Sequence, residues 1–404
     1  MSRPNTMSAA WVVALLSMML GLQPITTDLY LPALPMLTSE LQGSVAQAQL
    51  TLSALLLAFG MSQLVWGPLS DRFGRRTILL IGLGAYTVAA AGAMLSQSMV
   101  QLIVWRVVQG VAMGATIMSA RAIVRDLYEP LVGARVISQA LSGLGVMACL
   151  SGPLGGFLAG TFGWHVTLLA LVVFASVLLG LVVWKFEETL AQPNPQALAL
   201  GQLSRTWWHI IKHPTFLTYS LLGSASYAGL FTFLAASSFV FIGILGFSQH
   251  EYGLVMFSMP LSYIIGTVAC RRLIPRLGLE RTMGLGSFLS LVAGSLMAGL
   301  AWQGQQSLWS IMVPFYLFMF AHGINQPCTQ SASVGPFPQA AGTASALNGF
   351  MMMLVAFGMS TWLVQAMDGT VKPLAYGVGA WSVVIAVIAA LTLKRLAVAR
   401  SLAT

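Results

Sequence analysis

The chain has 404 residues, of which 57% are hydrophobic and only 7% charged, and its net charge is +9. Soluble globular chains carry about 25% charged residues, so lipid is the solvent for most of this surface and a water-soluble globular domain is excluded. The positive balance does not point to nucleic acid: no basic run alternates with stacking aromatics, and the charges sit in short clusters between apolar stretches. The three cysteines, Cys149, Cys270 and Cys328, show neither disulfide nor metal-ligand spacing and are expected to be packing residues.

Twelve stretches approach the roughly 20 apolar residues that a bilayer core requires. The first is predicted over Ala9 to Leu31. Only Arg3 precedes it and no small-residue cleavage pattern closely follows its apolar core, so it reads as a retained helix rather than a signal peptide. It carries Asp28. Of the ten acidic residues, Glu40, Asp71, Asp126, Glu129, Glu187, Glu188, Glu251, Glu280 and Asp368 fall in loops or at helix ends, and Asp28 is the exception. A carboxylate at that depth is costly unless it faces a cavity or a partner, which makes it a functional candidate. The alternative, an anchor at the outer interface, is left open by the flanking Leu29-Tyr30-Leu31-Pro32.

The second and third stretches, Ala48 to Leu69 and Ile78 to Leu95, are joined by Gly67-Pro68-Leu69-Ser70-Asp71-Arg72-Phe73-Gly74-Arg75-Arg76. A positive flank alone explains the arginines but not the aspartate and glycines. Gly67 is expected to allow close helix approach, and Asp71 to meet helix ends and basic partners. The fourth stretch, Val100 to Ala120, places Arg106 about seven residues in, with Gln109, Gly110 and Met113 on its face at helical spacing. Snorkelling is the competing reading for this arginine. The fifth and sixth stretches are Ile137 to Ala159 and Val166 to Val183.

The longest polar stretch, 185–214, splits the chain near its middle and reads as a cytoplasmic linker between an N-terminal bundle, 1–184, and a C-terminal bundle, 215–404. The second set of stretches is Leu217 to Phe241, Tyr252 to Ala269, Met283 to Ala301, Trp309 to Thr329, Ala344 to Val364 and Leu374 to Leu393. His322 in the tenth is the only histidine placed within the membrane. It is a rival proton carrier, because imidazole titrates near neutral pH, or else a satisfied hydrogen-bonding residue. Asn325 and Gln326 extend it into a polar wall.

Lys and Arg collect in cytoplasmic loops. With both termini cytoplasmic, Arg3, Arg72, Arg75, Arg76, Arg121, Arg125, Arg135, Lys185, Arg205, Lys212, Arg271, Arg272, Arg276, Arg281, Lys394, Arg395 and Arg400 fall on that side, and only Lys372 lies outside. A short echo, Asp71-Arg72-Phe73-Gly74 against Pro275-Arg276-Leu277-Gly278, supports an internal repeat. The fold class expected is therefore an all-α membrane protein with twelve transmembrane helices in two pseudo-symmetric six-helix bundles.

The loop from Gly67 to Arg76 resembles the signature of the major facilitator superfamily, and Arg106, Gln109 and Gly110 resemble that family's pattern in the fourth helix, with Ala112 in place of a common glycine. Gly152-Pro153-Leu154-Gly155-Gly156 resembles its antiporter motif, although Phe157 stands where a second family glycine is expected. Asp28 to Pro35 and Phe337 to Ser345 are similar to the Bcr/CflA subgroup of drug-resistance exporters. The resemblance covers essentially the whole chain. It implies residence in the bacterial cytoplasmic membrane, a conformational gate built from Gly67, Asp71, Arg72, Gly74, Arg75, Arg76, Gly152, Pro153 and Gly156, and proton-coupled export of bicyclomycin-like, phenicol or related compounds.

A proton-coupling role for Asp28 tuned by Arg106 follows if the two approach each other, since loss of water favours the neutral acid and the guanidinium favours the carboxylate. Substrate is expected between the halves, on Tyr30, Gln109, Met113, Tyr227, Phe231, Tyr263, Tyr316, His322 and Asn325. With a single embedded acid, at most one proton per cycle is expected, and neutral to singly basic compounds suit the site. No cofactor, metal or nucleic-acid partner is expected, and the chain is read as a monomer. A metabolite exporter or nutrient symporter would share the fold. A channel would show a filter or a ring of charge, and an enzyme a catalytic cluster; neither is visible.

Overall fold

A computed structural model describes residues 8–401. Arg3 lies outside them, as do the side chains of Arg395 and Arg400. Every long apolar stretch is a helix, because only a helix or a closed barrel pairs all its own backbone polar groups in lipid. The elements are α1 Ala9–Asp28, α2 Leu34–Glu40, α3 Val45–Phe73, α4 Arg75–Met94, α5 Met99–Leu127, α6 Pro130–Phe162 and α7 Trp164–Lys185. There follow α8 Leu200–Lys212, α9 Pro214–Ser238, α10 Gln249–Leu277, α11 Leu279–Trp302, α12 Leu308–Val334, α13 Ala341–Ala366 and α14 Lys372–Ser401.

Twelve spans among the described residues are long and apolar enough to cross a bilayer, the first running through α1 and α2 as Ala9–Glu40. They coincide with the twelve predicted stretches and mostly extend beyond them. The extensions are polar turns that stay helical past the apolar segment, such as Asp71 and Arg72 in α3 or Arg125 and Asp126 in α5. Starts are fixed by side chains: Ser44 and Gln47 form a capping box before α3, and Ser307 and Ser310 one before α12. Between α1 and α2 the chain tightens into a turn at Leu31–Ala33, where Pro32 and Pro35 cannot donate to a regular helix.

The chain divides into two compact units, Met1–Arg205 with Ser248–Phe257, and Thr206–Phe247 with Ser258–Thr404. This division differs from boundaries at 184 and 214. Helix α8 forms inside the expected linker, and the start of α10 groups with the first unit because Gly152 and Gly156 of α6 admit its backbone at Gly253. Within each unit the same pairings recur. The third span packs on the fourth and sixth and the first on the fifth; likewise the ninth packs on the tenth and twelfth and the seventh on the eleventh. The echoed glycines also match, since Gly74 at φ 95° and Gly278 at φ 78° each separate two consecutive helices. Positive φ is where glycine is the unstrained residue.

All three cysteines are buried. Cys270 and Cys328 face each other with sulfurs 3.6 Å apart in an apolar cluster with Leu222, Met283 and Ile324.

Candidate functional site

Arg106, Gln109, Gly110 and Met113 form one buried stripe along α5. Arg106 is 0% exposed. Its Nη2 donates to the main-chain carbonyl of Thr26 at 3.1 Å, its Nη1 donates to Gln109 Oε1 at 3.1 Å, and its guanidinium stands 4.2 Å from the Tyr30 ring centroid. The arrangement follows from the end of a helix. Because α1 stops at Asp28, the carbonyls of its last turn lack intrahelical donors and concentrate negative partial charge. The buried cation thus exchanges water for a dipole end, an amide oxygen and a π face.

The receiving surface is itself braced. The Tyr30 hydroxyl is 2.9 Å from Thr51 Oγ1, and Thr26 Oγ1 is 2.6 Å from the Tyr86 hydroxyl. Tyr30, expected as a substrate contact, is fully buried, with its ring under Arg106 and its hydroxyl on Thr51. Two buried donors of the stripe, Arg106 Nε and Gln109 Nε2, have no partner within the protein. Thr26, Thr51 and Tyr86 were not singled out in the sequence, and hydroxyl residues in apolar helices carry no signal that marks them.

Asp28 closes α1 and is partly exposed. Its Oδ1 accepts from the Thr27 hydroxyl at 2.8 Å. Ion pairs join Arg75 to Asp71 and to Asp126, and Arg125 to Asp71, and none is seen at Asp28 among the described residues. The expected approach of Asp28 to Arg106 is therefore not an ion pair, because the guanidinium is turned to the Thr26 carbonyl instead. Ile25, one helical turn before Asp28, and Leu29, which follows it, contribute to an apolar cavity of about 600 Å³ with Met147, Leu154, Val173 and Phe174.

The loop between α3 and α4 is a charge cluster. Arg75, 2% exposed, donates from Nη1 to Asp71 at 2.6 Å and to Ser70 Oγ at 3.0 Å, and from Nε to Asp126 of α5 at 2.7 Å. Glu188, beyond α7, accepts from the backbone N–H groups of Arg75 at 2.9 Å and Arg76 at 3.0 Å, the first turn of α4. An anion there meets the positive end of the helix. Thr189 donates to Asp126 at 3.3 Å, and the Asn194 N–H to the Asp71 carbonyl at 3.0 Å, so the segment after α7 straps down the loop. Arg72 instead lies 5.4 Å from the Phe73 ring. Asp126 and Glu188 read as ordinary loop acids in the sequence, and their partners lie 51 and 113 positions away.

Gly67 departs from its expected role. A Cβ there would make only an ordinary 3.5 Å contact with Met118, whereas at Gly110 it would collide with the Leu55 carbonyl of α3. The close α3–α5 approach thus rests on Gly110. Gly152 and Gly156 do face backbone directly, at Gly253 and Gln249 of α10, and Pro153 lies within α6 between them. Phe157 is 50% exposed, its ring 6.0 Å from that of His250.

In the second unit, His322 Nδ1 lies 2.8 Å from Ser226 Oγ and its ring 5.6 Å from that of Tyr263. Asn325 donates to Ser290 at 3.3 Å while its Oδ1 is buried without a partner. Tyr316 bonds Ser258 at 2.8 Å, Phe231 is 2% exposed, and Tyr227 and Tyr263 are half-buried. The structure brings His322 and Tyr263 together, and places Asn325 one helical turn along α12 from His322.

Twelve apolar spans among the described residues, with buried polar groups along several of them, are those of a multi-pass membrane transporter. The family model described as Major Facilitator Superfamily matches residues 13–361, and the chain belongs to that family. It is 28% identical over 363 residues to multidrug resistance protein D of Escherichia coli (strain K12), covering 89% of this chain and 90% of that protein. It is 26% identical over 371 residues to a bicyclomycin resistance protein homolog of Haemophilus influenzae, covering 91% and 92%. The fold matches the crystal structure of the human organic anion transporter MFSD10 with a TM-score of 0.72 at 20% identity, over 96% of this chain and 100% of that one. The chain is a transporter and a multi-pass inner-membrane protein.

Proposed function

We propose that this transporter exports small, neutral to weakly basic organic compounds, such as bicyclomycin- or phenicol-like antibiotics, in exchange for protons by alternating access. One observation carries the proton role: Asp28 is a carboxyl within the first apolar span whose hydrogen bond comes from the neutral Thr27 hydroxyl and which forms no ion pair among the described residues. A carboxyl so placed takes up and releases a proton without first breaking a salt bridge. Arg106, held by Thr26 and Gln109, sets the local field rather than neutralising the acid. The partnerless donors Arg106 Nε and Gln109 Nε2 suit a carbonyl or hydroxyl oxygen of a neutral substrate.

The resistance proteins that resemble the chain over about nine-tenths of its length support the drug class. Further parts of this reading are two six-helix halves joined by 185–214, both termini in the cytoplasm, a gate formed by the Asp71 to Arg76 cluster and the Gly152 to Gly156 face, a monomeric state, and no cofactor beyond the proton. Met113, Tyr227, Phe231, Tyr263, Tyr316, His322 and Asn325 are the remaining substrate contacts of this reading. The test is drug-driven proton movement in proteoliposomes. Asp28→Asn abolishes it while drug binding persists; undiminished coupling in that variant would remove Asp28 from the role. A nutrient symporter would instead accumulate its substrate together with protons.

A further inference from the structure

At the end of α7, Lys185 lies near two indoles, its Nζ 5.0 Å from the Trp11 ring centroid and 5.8 Å from that of Trp184. Trp184 is 77% exposed. The indole N–H of Trp11 is buried and has no acceptor. Next to this corner Arg76 donates from Nη2 to the Val183 carbonyl at 3.2 Å, and its Nε is likewise buried without a partner. A buried N–H without an acceptor costs about 1–3 kcal/mol, so the corner favours an incoming acceptor. The Glu188 carboxylate does not fill it, being engaged by main-chain N–H groups at the start of α4.

A tryptophan belt alone places indoles at both membrane interfaces. Within the second unit, taken by itself, the pairing of charge with indole falls at one end only. In the second unit Lys212 Nζ stands 4.5 Å from the ring of Trp208, which is 60% exposed on α8. By contrast, Trp302 at 82% and Trp309 at 65% exposure, at the far ends of α11 and α12, carry no lysine contact among the described residues. An indole paired with an ammonium matches a headgroup region that is both amphipathic and anionic.

We propose that Lys185, Trp11 and Trp184 bind the phosphate of an anionic phospholipid from the leaflet at that end. A phosphodiester oxygen takes the ammonium and the Trp11 N–H, and the Trp184 ring lies against the glycerol and upper acyl chain. The site is independent of the transported compound.

The test titrates the full-length purified protein in detergent with phosphatidylglycerol, phosphatidylcholine and soluble glycerol phosphate, read by native mass spectrometry. Wild type retains phosphatidylglycerol in preference to phosphatidylcholine and shows no comparable binding of glycerol phosphate. Lys185→Gln weakens phosphatidylglycerol about five-fold, the equivalent of one surface lysine. Lys185→Arg keeps the affinity, and Trp11→Phe, which keeps a ring but deletes the N–H, weakens it. Equal retention of both lipids, or phosphatidylglycerol binding unchanged in both Lys185→Gln and Trp11→Phe, would overturn the proposal. Lysine-dependent binding of glycerol phosphate as tight as that of the lipid would overturn the lipid as occupant.

Discussion

Arg106 serves the end of α1 and not the acid that closes it: its Nη2 is 3.1 Å from the Thr26 carbonyl, while Asp28, two residues on, takes its hydrogen bond from Thr27. The planar guanidinium reaches Thr26, Gln109 and the Tyr30 face at once, which a single ammonium does not. Arg106→Lys keeps the charge but leaves one buried acceptor without a donor, at a cost of about 1–3 kcal/mol. A fall in the thermal midpoint of the detergent-purified protein, together with lost proton-coupled transport, is expected. A variant as stable and as active as wild type would show that the fork is dispensable.

The loop signature makes a second prediction that runs against its usual reading. Gly67→Ala is expected to leave stability unchanged or raise it by up to about 1 kcal/mol, because the added methyl meets only the end of Met118 at an ordinary distance and alanine is the better helix former inside α3. Gly110→Ala, which drives a methyl into the backbone of α3, is expected to cost about 1–3 kcal/mol. Thermal unfolding of the two variants side by side decides between them.

Asp126→Asn leaves Arg75, which is only 2% exposed, with Asp71 as its remaining carboxylate. Removing one partner of a buried charge pair costs about 3–5 kcal/mol, reduced here because Asp71 stays. Glu188→Gln removes the negative charge from the start of α4, an effect of about 0.3–1 kcal/mol. The order expected in thermal midpoints is wild type, Glu188→Gln, Asp126→Asn. Both variants are expected to slow transport more than they weaken substrate binding, if the cluster holds one conformation shut.

The fold was legible in the sequence because lipid leaves a coarse signal: twelve apolar stretches place the twelve spans, while several helical ends run seven to nine residues further in polar turns that hydropathy does not mark. Asp28 and Arg106 were legible for the same reason, as charges where charge is costly. Their relationship was not, since the receptor for Arg106 is a main-chain carbonyl, which every residue has. Glu188 was hidden differently. It looks like any loop acid until folding carries it to backbone N–H groups more than a hundred positions earlier.

His322 is the alternative proton carrier, and its geometry supplies a test. Its Nδ1 is 2.8 Å from the Ser226 hydroxyl and it is 3% exposed, with no charged side chain among its observed partners. A glutamine side chain preserves hydrogen bonding to a serine without titrating near neutrality. His322→Gln is therefore expected to keep drug-driven proton movement while altering apparent drug affinity. Loss of proton movement with drug binding intact would transfer the coupling role from Asp28 to His322.

If Asp28 alone carries the proton, exchange of one neutral drug for one proton moves a net positive charge inward, whereas exchange of a monovalent cation for one proton moves none. A membrane potential of 100 mV acts on one charge with about 2.3 kcal/mol, enough to shift the attainable drug gradient on the order of fifty-fold. A potassium diffusion potential imposed on proteoliposomes, negative on the side that faces the cytoplasm, is thus expected to accelerate export of a neutral substrate and leave a monocationic one unchanged. Asp28→Asn, which removes the proton from the exchange, is expected to abolish the voltage acceleration of the neutral substrate. Neutral-drug export that ignores the voltage would mean that no net charge crosses with the proton, and would rule out a one-acid, one-proton cycle.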